Sequence, residues 1–155
     1  MSLRNLWALD PAEVIVAWEF QKLGYQVFFP TKDVGVDILL LGNIKRQCRK
    51  PVTVQVKSSR YWDWKDDLGG YGGWFKLSRK KMLGDLGIID FYVFVLFHTK
   101  PNKTGSERFM RDFFVIPSRD LANRTNHYNK ESGDMLNIYM RVFKYNGKSM
   151  ILDYR

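Results

Sequence analysis

Three residues in the first third of the chain have the types and spacing to handle a hard metal ion and a phosphate. Asp37 precedes the apolar run Ile38-Leu39-Leu40-Leu41, and Gln55 and Lys57 close the segment Val52–Lys57. Side chains alternate between the faces of an extended strand. Val52, Val54 and Val56 therefore take one side, and Thr53, Gln55 and Lys57 the other. Two neighbouring strands joined by a turn can bring Asp37 beside the Gln55–Lys57 pair. Carboxylate and amide oxygens are hard ligands suited to Mg²⁺, and the main-chain carbonyl of Val56 can add a third. A lysine beside such an ion can orient an attacking water, or neutralise a phosphate oxygen as charge builds in the transition state. Each residue alone has a plainer reading. Asp37 can be a strand-entry residue held by loop amides, and Gln55 and Lys57 the solvent face of an edge strand. The combination at this spacing favours a site.

The elements that would position these residues are legible as periodicities and stops. Asp10-Pro11 reads as an N-cap and first helical position, opening a helix to about Leu23 that Gly24 ends. A short strand, Tyr25–Phe29, stops at Pro30. A second, Val36–Leu41, stops at Gly42-Asn43, and Val52–Lys57 is the third. Tyr61 to Gly73 reads as a loop with Trp62, Trp64 and Tyr71. A strand Trp74–Leu77 follows, then a basic helix capped by Ser78 that runs to about Leu86. Phe91–Phe97 does not alternate, as expected of a buried strand. Phe113–Ile116 is another strand, and Ser118 starts a helix to about Asn126. The tail reads as a hairpin, Leu136–Tyr145 and Ser149–Tyr154, turning at Asn146-Gly147. This order predicts a single α/β domain over residues 1–155: a mixed sheet flanked by helices, with a C-terminal hairpin.

The segments Gly35-Val36-Asp37-Ile38-Leu39 and Val54-Gln55-Val56-Lys57-Ser58 resemble the paired motifs of the PD-(D/E)xK nuclease superfamily. The pattern is similar to archaeal Holliday junction resolvases, to some Gln-x-Lys homing endonucleases and to uncharacterised members of the superfamily. The resemblance covers about residues 8 to 60. Phe113-Phe114-Val115-Ile116-Pro117-Ser118 with Asp120-Leu121 also looks like uncharacterised relatives. The resemblance implies a restriction-endonuclease-like fold and a DNA endonuclease that uses Mg²⁺, with Mn²⁺ able to substitute. By the same resemblance Glu13 matches a glutamate on the family's first helix and joins Asp37, Gln55 and Val56 as a metal ligand. Lys57 positions or activates the water. Two positions depart from the pattern. Gln55 stands where most members have an acid, which removes one negative charge from the site, and Val36 stands where the motif writes Pro.

Glu13 has a structural rival, since the third helical position after an Asp cap is where a capping box places Glu. Its helical neighbours Val16, Ala17 and Phe20 are apolar, however, and a carboxylate on such a face needs a partner. Glu19, by contrast, reads as a surface pair with Lys22. The alternative for the whole chain is a nucleic-acid-binding module of the same fold that does not cut, a reading that the Gln55 departure sustains.

Composition narrows the partners. The chain of 155 residues is 45% apolar and 15% aromatic, enough to fill one core and too apolar for disorder. Its 25 Lys and Arg against 16 Asp and Glu give a net charge of +9, as expected of a protein that meets a polyanion. Lys45, Arg46, Arg49 and Lys50 form a basic turn, and with Ser58 and Arg60 they are the expected DNA contacts; Arg79–Lys81 is a second basic run. Trp62, Trp64, Tyr71 and Trp74 can stack on bases or pack in a core or interface. Cys48 alone excludes an internal disulfide, and His98 and His127 are too far apart in sequence to suggest a zinc site. No run approaches the ~20 apolar residues a membrane helix needs, and no leader-like apolar stretch opens the chain. The expectation is a cytoplasmic protein that acts on DNA as a homodimer or tetramer.

Overall fold

A computed structural model describes residues 9–31, 35–43, 50–63, 70–101, 105–125, 133–145 and 148–154. The chain runs α1 (Pro11–Lys22), β1 (Tyr25–Phe28), β2 (Ile38–Asn43), β3 (Val52–Asp63), β4 (Tyr71–Ser78), α2 (Arg79–Gly84), β5 (Phe91–Pro101), β6 (Glu107–Pro117), α3 (Ser118–Thr125), β7 (Met135–Tyr145) and β8 (Lys148–Tyr154). The fold is therefore α/β, with eight strands among the described residues.

The topology turns on β3. Its first residues pair antiparallel with β2, Ile38 opposite Val54. Val54 to Arg60 pair parallel with β5, and Tyr61 to Asp63 pair antiparallel with β4. One sheet thus runs β1-β2-β3-β5-β6, and β3/β5 is its parallel pair. A second, antiparallel sheet, β4-β7-β8, leaves from the far end of β3. The expected mixed sheet and C-terminal hairpin are both present. β3, β4, β5 and β6 are longer than hydrophobic runs suggest: β3 and β5 continue past their apolar stretch, and β4 and β6 begin before theirs. The expected loop from Tyr61 to Gly73 is correspondingly shorter, because Tyr61–Asp63 finish β3 and Tyr71–Gly73 open β4. Asp37 lies just before β2 rather than within it.

Two apolar cores lie on opposite faces of the first sheet. On one, α1 sets Ala12, Val16 and Ala17 against Ile38, Leu40, Val54, Val56, Val93 and Val95. On the other, Tyr92, Phe94 and Leu96 of β5 meet Phe75 and Leu77 of β4, Leu136, Ile138 and Met140 of β7, Met82 of α2, and Leu121 of α3. β5 is covered on both sides, which is the physical reason its sequence does not alternate. α1 is placed as its sequence dictates: Asp10 caps it by accepting from the Ala12 amide at 2.8 Å, Pro11 occupies the first turn, and Gly24 leaves it with φ 88°.

Gly73 sets how closely β4 approaches β5. A Cβ there would fall 2.7 Å from Leu96 Cδ1 and 3.2 Å from the Phe75 ring, and both of those side chains are buried in the second core. Gly73→Ala is therefore expected to destabilise the fold by ~1–3 kcal/mol through overpacking, seen as a lower urea midpoint. An unchanged midpoint would mean that the two sheets can part here at no cost.

Candidate active site

The site begins where β2 and β3 stop pairing. Asp37 donates its main-chain N–H to the Val54 carbonyl at 2.9 Å. Its side chain then extends the ladder: Oδ2 accepts from the Val56 amide at 2.7 Å and from Gln55 Nε2 at 3.3 Å. Asp37, Gln55 and Val56 are thus brought together as the spacing predicted. Gln55 is 4% exposed, so burial makes its terminal amide depend on that partner. A glutamate in its place would set two carboxylates against each other; the amide supplies a donor instead and lets the pair close without a cation.

Lys57, two residues on along β3, opens with Gln55 onto a cavity of about 130 Å³. β4 and α2 contribute its other polar walls, Lys76, Ser78 and Lys81, and Tyr92 stands on β5. Three lysines among the lining residues make this small cavity positive in character, suited to an anionic group. α2 is held there by its cap. Ser78 Oγ accepts from the Lys81 amide at 3.0 Å and donates to Asp134 Oδ2 at 2.5 Å. Asp134 also receives the Lys80 amide, and its carboxyl is held below the usual range by the Ser78 hydroxyl first and the Lys80 amide second.

An acid that the sequence did not single out belongs to the same neighbourhood. Asp85, at the end of α2, has its Oδ2 buried without a hydrogen-bond partner. A Cβ on Gly35, which has φ +83°, would lie 3.5 Å from that oxygen and 3.7 Å from Lys81 Nζ. α2 therefore packs against the loop that leads into Asp37. Tyr92 registers both acids. Its hydroxyl is pushed up to about 12, by burial first, then by the charge of Asp85, then by that of Asp37. Nothing in Leu83-Gly84-Asp85-Leu86-Gly87 marks Asp85 in the sequence, because the contact arises only when α2 packs at Gly35. Lys81 had a signal, the basic run Arg79–Lys81; Lys76 and Tyr92 had none.

The remaining expected site residues are distributed as follows. Glu13 sits in the first turn of α1, 9% exposed, on the helix that covers β1, β2 and β3. The Asp10 cap closes on Ala12 rather than on Glu13, so the capping-box geometry is not the one formed on that side. Ser58 and Arg60 are exposed on β3, and Lys50 is exposed just before it. Lys45, Arg46 and Arg49 lie outside the described residues, as do Trp64, Cys48, His127 and the Asn146-Gly147 turn. Glu19 pairs with Lys22 at 2.7 Å as expected, and with Arg111 of β6 at 2.8 Å. His98 is buried, with Nε2 3.0 Å from Asp112 Oδ2, and Tyr71 donates to the same oxygen at 2.9 Å. Trp74 is exposed on β4, stacked on Tyr139 with Lys76 Nζ over its ring. Among the described residues no group of three or more His, Cys, Asp or Glu gathers as a ready metal cluster, and no helix is long and apolar enough to cross a membrane.

Compared with models of protein families, with curated proteins and with solved structures, the chain gives no match in any of the three.

The amide at position 55 yields a direct test. Gln55→Glu replaces a donor to Asp37 with a second buried carboxylate. It is expected to destabilise the metal-free protein by ~2–4 kcal/mol, read as a lower melt in EDTA, and millimolar Mg²⁺ should restore much of the loss. An unaltered melt in EDTA would show that residue 55 and Asp37 do not share this pocket.

Proposed function

We propose that the protein is a metal-dependent endonuclease that hydrolyses DNA phosphodiester bonds, built on a restriction-endonuclease-like fold of the PD-(D/E)xK type. The single observation that carries this reading is the meeting of Asp37, Gln55 and Val56 at the mouth of β2/β3, with Lys57 on the adjoining cavity.

The residues fit a hard divalent cation. A buried carboxylate oxygen without a partner is costly to keep, and Asp85 Oδ2 is one, in a neighbourhood where its charge and that of Asp37 both reach Tyr92. Asp37, Asp85 and the Gln55 amide offer the oxygen donors such an ion takes, and the family resemblance adds Glu13 and the Val56 carbonyl. When bound, Mg²⁺ would supply Lewis acidity and lower the pKa of a coordinated water. The chain's own side chains do the rest. Asp37, fixed by the Val56 amide, holds its carboxylate still. Lys57 orients the attacking water. Lys76 and Lys81 neutralise a phosphate drawn into the cavity, where charge increases as the bond to the leaving oxygen breaks. Tyr92 keeps its proton at neutral pH and can donate a hydrogen bond there. The net charge of +9 suits a phosphate backbone. Lys45, Arg46, Arg49, Lys50, Ser58 and Arg60 are the proposed backbone contacts. A double-strand cut or a resolved junction needs two such sites, so the working form proposed is a homodimer or tetramer.

Pure protein should nick supercoiled or branched DNA with Mg²⁺ or Mn²⁺ and not with EDTA. Lys57→Ala should retain the parent's melt and DNA affinity while losing cleavage. Glu13→Gln, nearly isosteric, should melt within about half a kcal/mol of the parent and cut slower by orders of magnitude. If Lys57→Ala cuts at the parental rate, the assignment fails. DNA binding with no cutting under any divalent ion would favour the non-cleaving module instead.

A further inference from the structure

β4 turns Phe75 and Leu77 into the second core and Trp74 and Lys76 away from it. Trp74 is 40% exposed on that outer face. Its indole lies nearly parallel to the ring of Tyr139, the residue opposite it on β7, at 8° and with 6.3 Å between ring centroids. Nε1 donates to Asn137 Oδ1 at 3.0 Å. The indole therefore spends its one polar atom inside the protein and holds a fixed orientation, while much of its surface stays in water.

Three links tie this ring to the cavity lined by Lys57, Lys76 and Lys81. The Trp74 amide donates to Ser59 Oγ at 3.2 Å, which joins β4 to β3. Lys57 is two residues before Ser59 on one face of β3, and Lys76 is two residues after Trp74 on one face of β4. Both lysines line the cavity, and Lys76 Nζ stands 4.5 Å from the centroid of the Trp74 ring. A flat, exposed ring thus sits beside a cation at the edge of a basic cavity. A nucleotide has the complementary parts, a flat base joined to an anionic phosphate.

We infer that Trp74 is a stacking platform for an unpaired DNA base, that of a nucleotide whose phosphate enters the cavity of Lys57, Lys76 and Lys81. Inside a duplex the faces of a base are covered by its neighbours, so only a single-stranded nucleotide can lay its base on the indole. The inference rests on the nuclease reading for the place of the phosphate, and it names the substrate class of that site: DNA that is single-stranded at the bond to be cut. Trp74 acts in it as a positioning residue.

The test is binding of three labelled ligands of equal length, followed by fluorescence anisotropy at one salt concentration: oligothymidylate, the same backbone carrying abasic sugars, and duplex DNA. EDTA is present throughout, so no cleavage is needed. The parent should bind oligothymidylate about tenfold more tightly than the abasic strand, the worth of one stacked base. Trp74→Leu keeps an apolar side chain against Tyr139 but has no ring face. It should lose most of that preference, Trp74→Phe should retain most of it, and duplex affinity should be unchanged in both. Equal binding of the two single strands by the parent, no binding of either, or a Trp74→Leu that keeps the preference would overturn the inference. So would an equal loss of duplex and single-strand affinity in Trp74→Leu, the result expected of a ring that only braces β4 against β7. The nuclease reading fails by a different result, an absence of cutting with Mg²⁺ or Mn²⁺, which leaves the base preference in EDTA as it is.

Discussion

One carboxylate joins the parts of this molecule that form the candidate site. The β2/β3 ladder ends at Ile38 opposite Val54, and the next main-chain donor on that edge, the Val56 amide, would be left without a strand to bond. Asp37 Oδ2 takes it at 2.7 Å. The side chain continues a ladder that the backbone has abandoned, and β2 can diverge from β3 without orphaning a buried amide. What opens at the divergence is a polar notch against the parallel β3/β5 pair, with Gln55 and Lys57 on its wall.

The two cores explain why this notch stays in place. α1 presses one face of the sheet through Val54 and Val56, while β4, β7, α2 and α3 press the other through Tyr92 and Phe94. Residues of alternating parity along β3 therefore serve different layers. The valines anchor the strand to α1, and Gln55 and Lys57, between them, face the layer that brings Lys76, Lys81 and Asp85. A shift of one residue in β3 would bury Lys57 under α1 and expose Val56, so the register that builds the core also builds the site.

Much of this was legible in the sequence because it is local. Asp10-Pro11 and Gly24 bound α1, alternation from Val52 to Lys57 orients β3, and the apolar block Phe91–Phe97 declares a strand covered on both sides. The meeting of Asp37 with Gln55 and Val56 followed from adjacency of two strands joined by one turn. What escaped the sequence is long-range. β3, β5 and β6 extend into polar residues because neighbouring strands supply hydrogen bonds that no hydrophobic pattern records. Asp85 comes near Asp37 only through the docking of α2 on the loop at Gly35, and Lys76 reaches the cavity only because β4 is bonded to the far end of β3.

With an amide at position 55, Asp37 is the carboxylate that ties the proposed cation site to both Gln55 and the Val56 main chain. Mn²⁺ binding, followed by the loss of the free-ion paramagnetic resonance signal in the parent and in Asp37→Asn, tests this most directly. The account predicts saturable binding by the parent, competed by Mg²⁺, and its loss in Asp37→Asn with the fold intact. Equal Mn²⁺ binding by both proteins, or none by the parent, would contradict it.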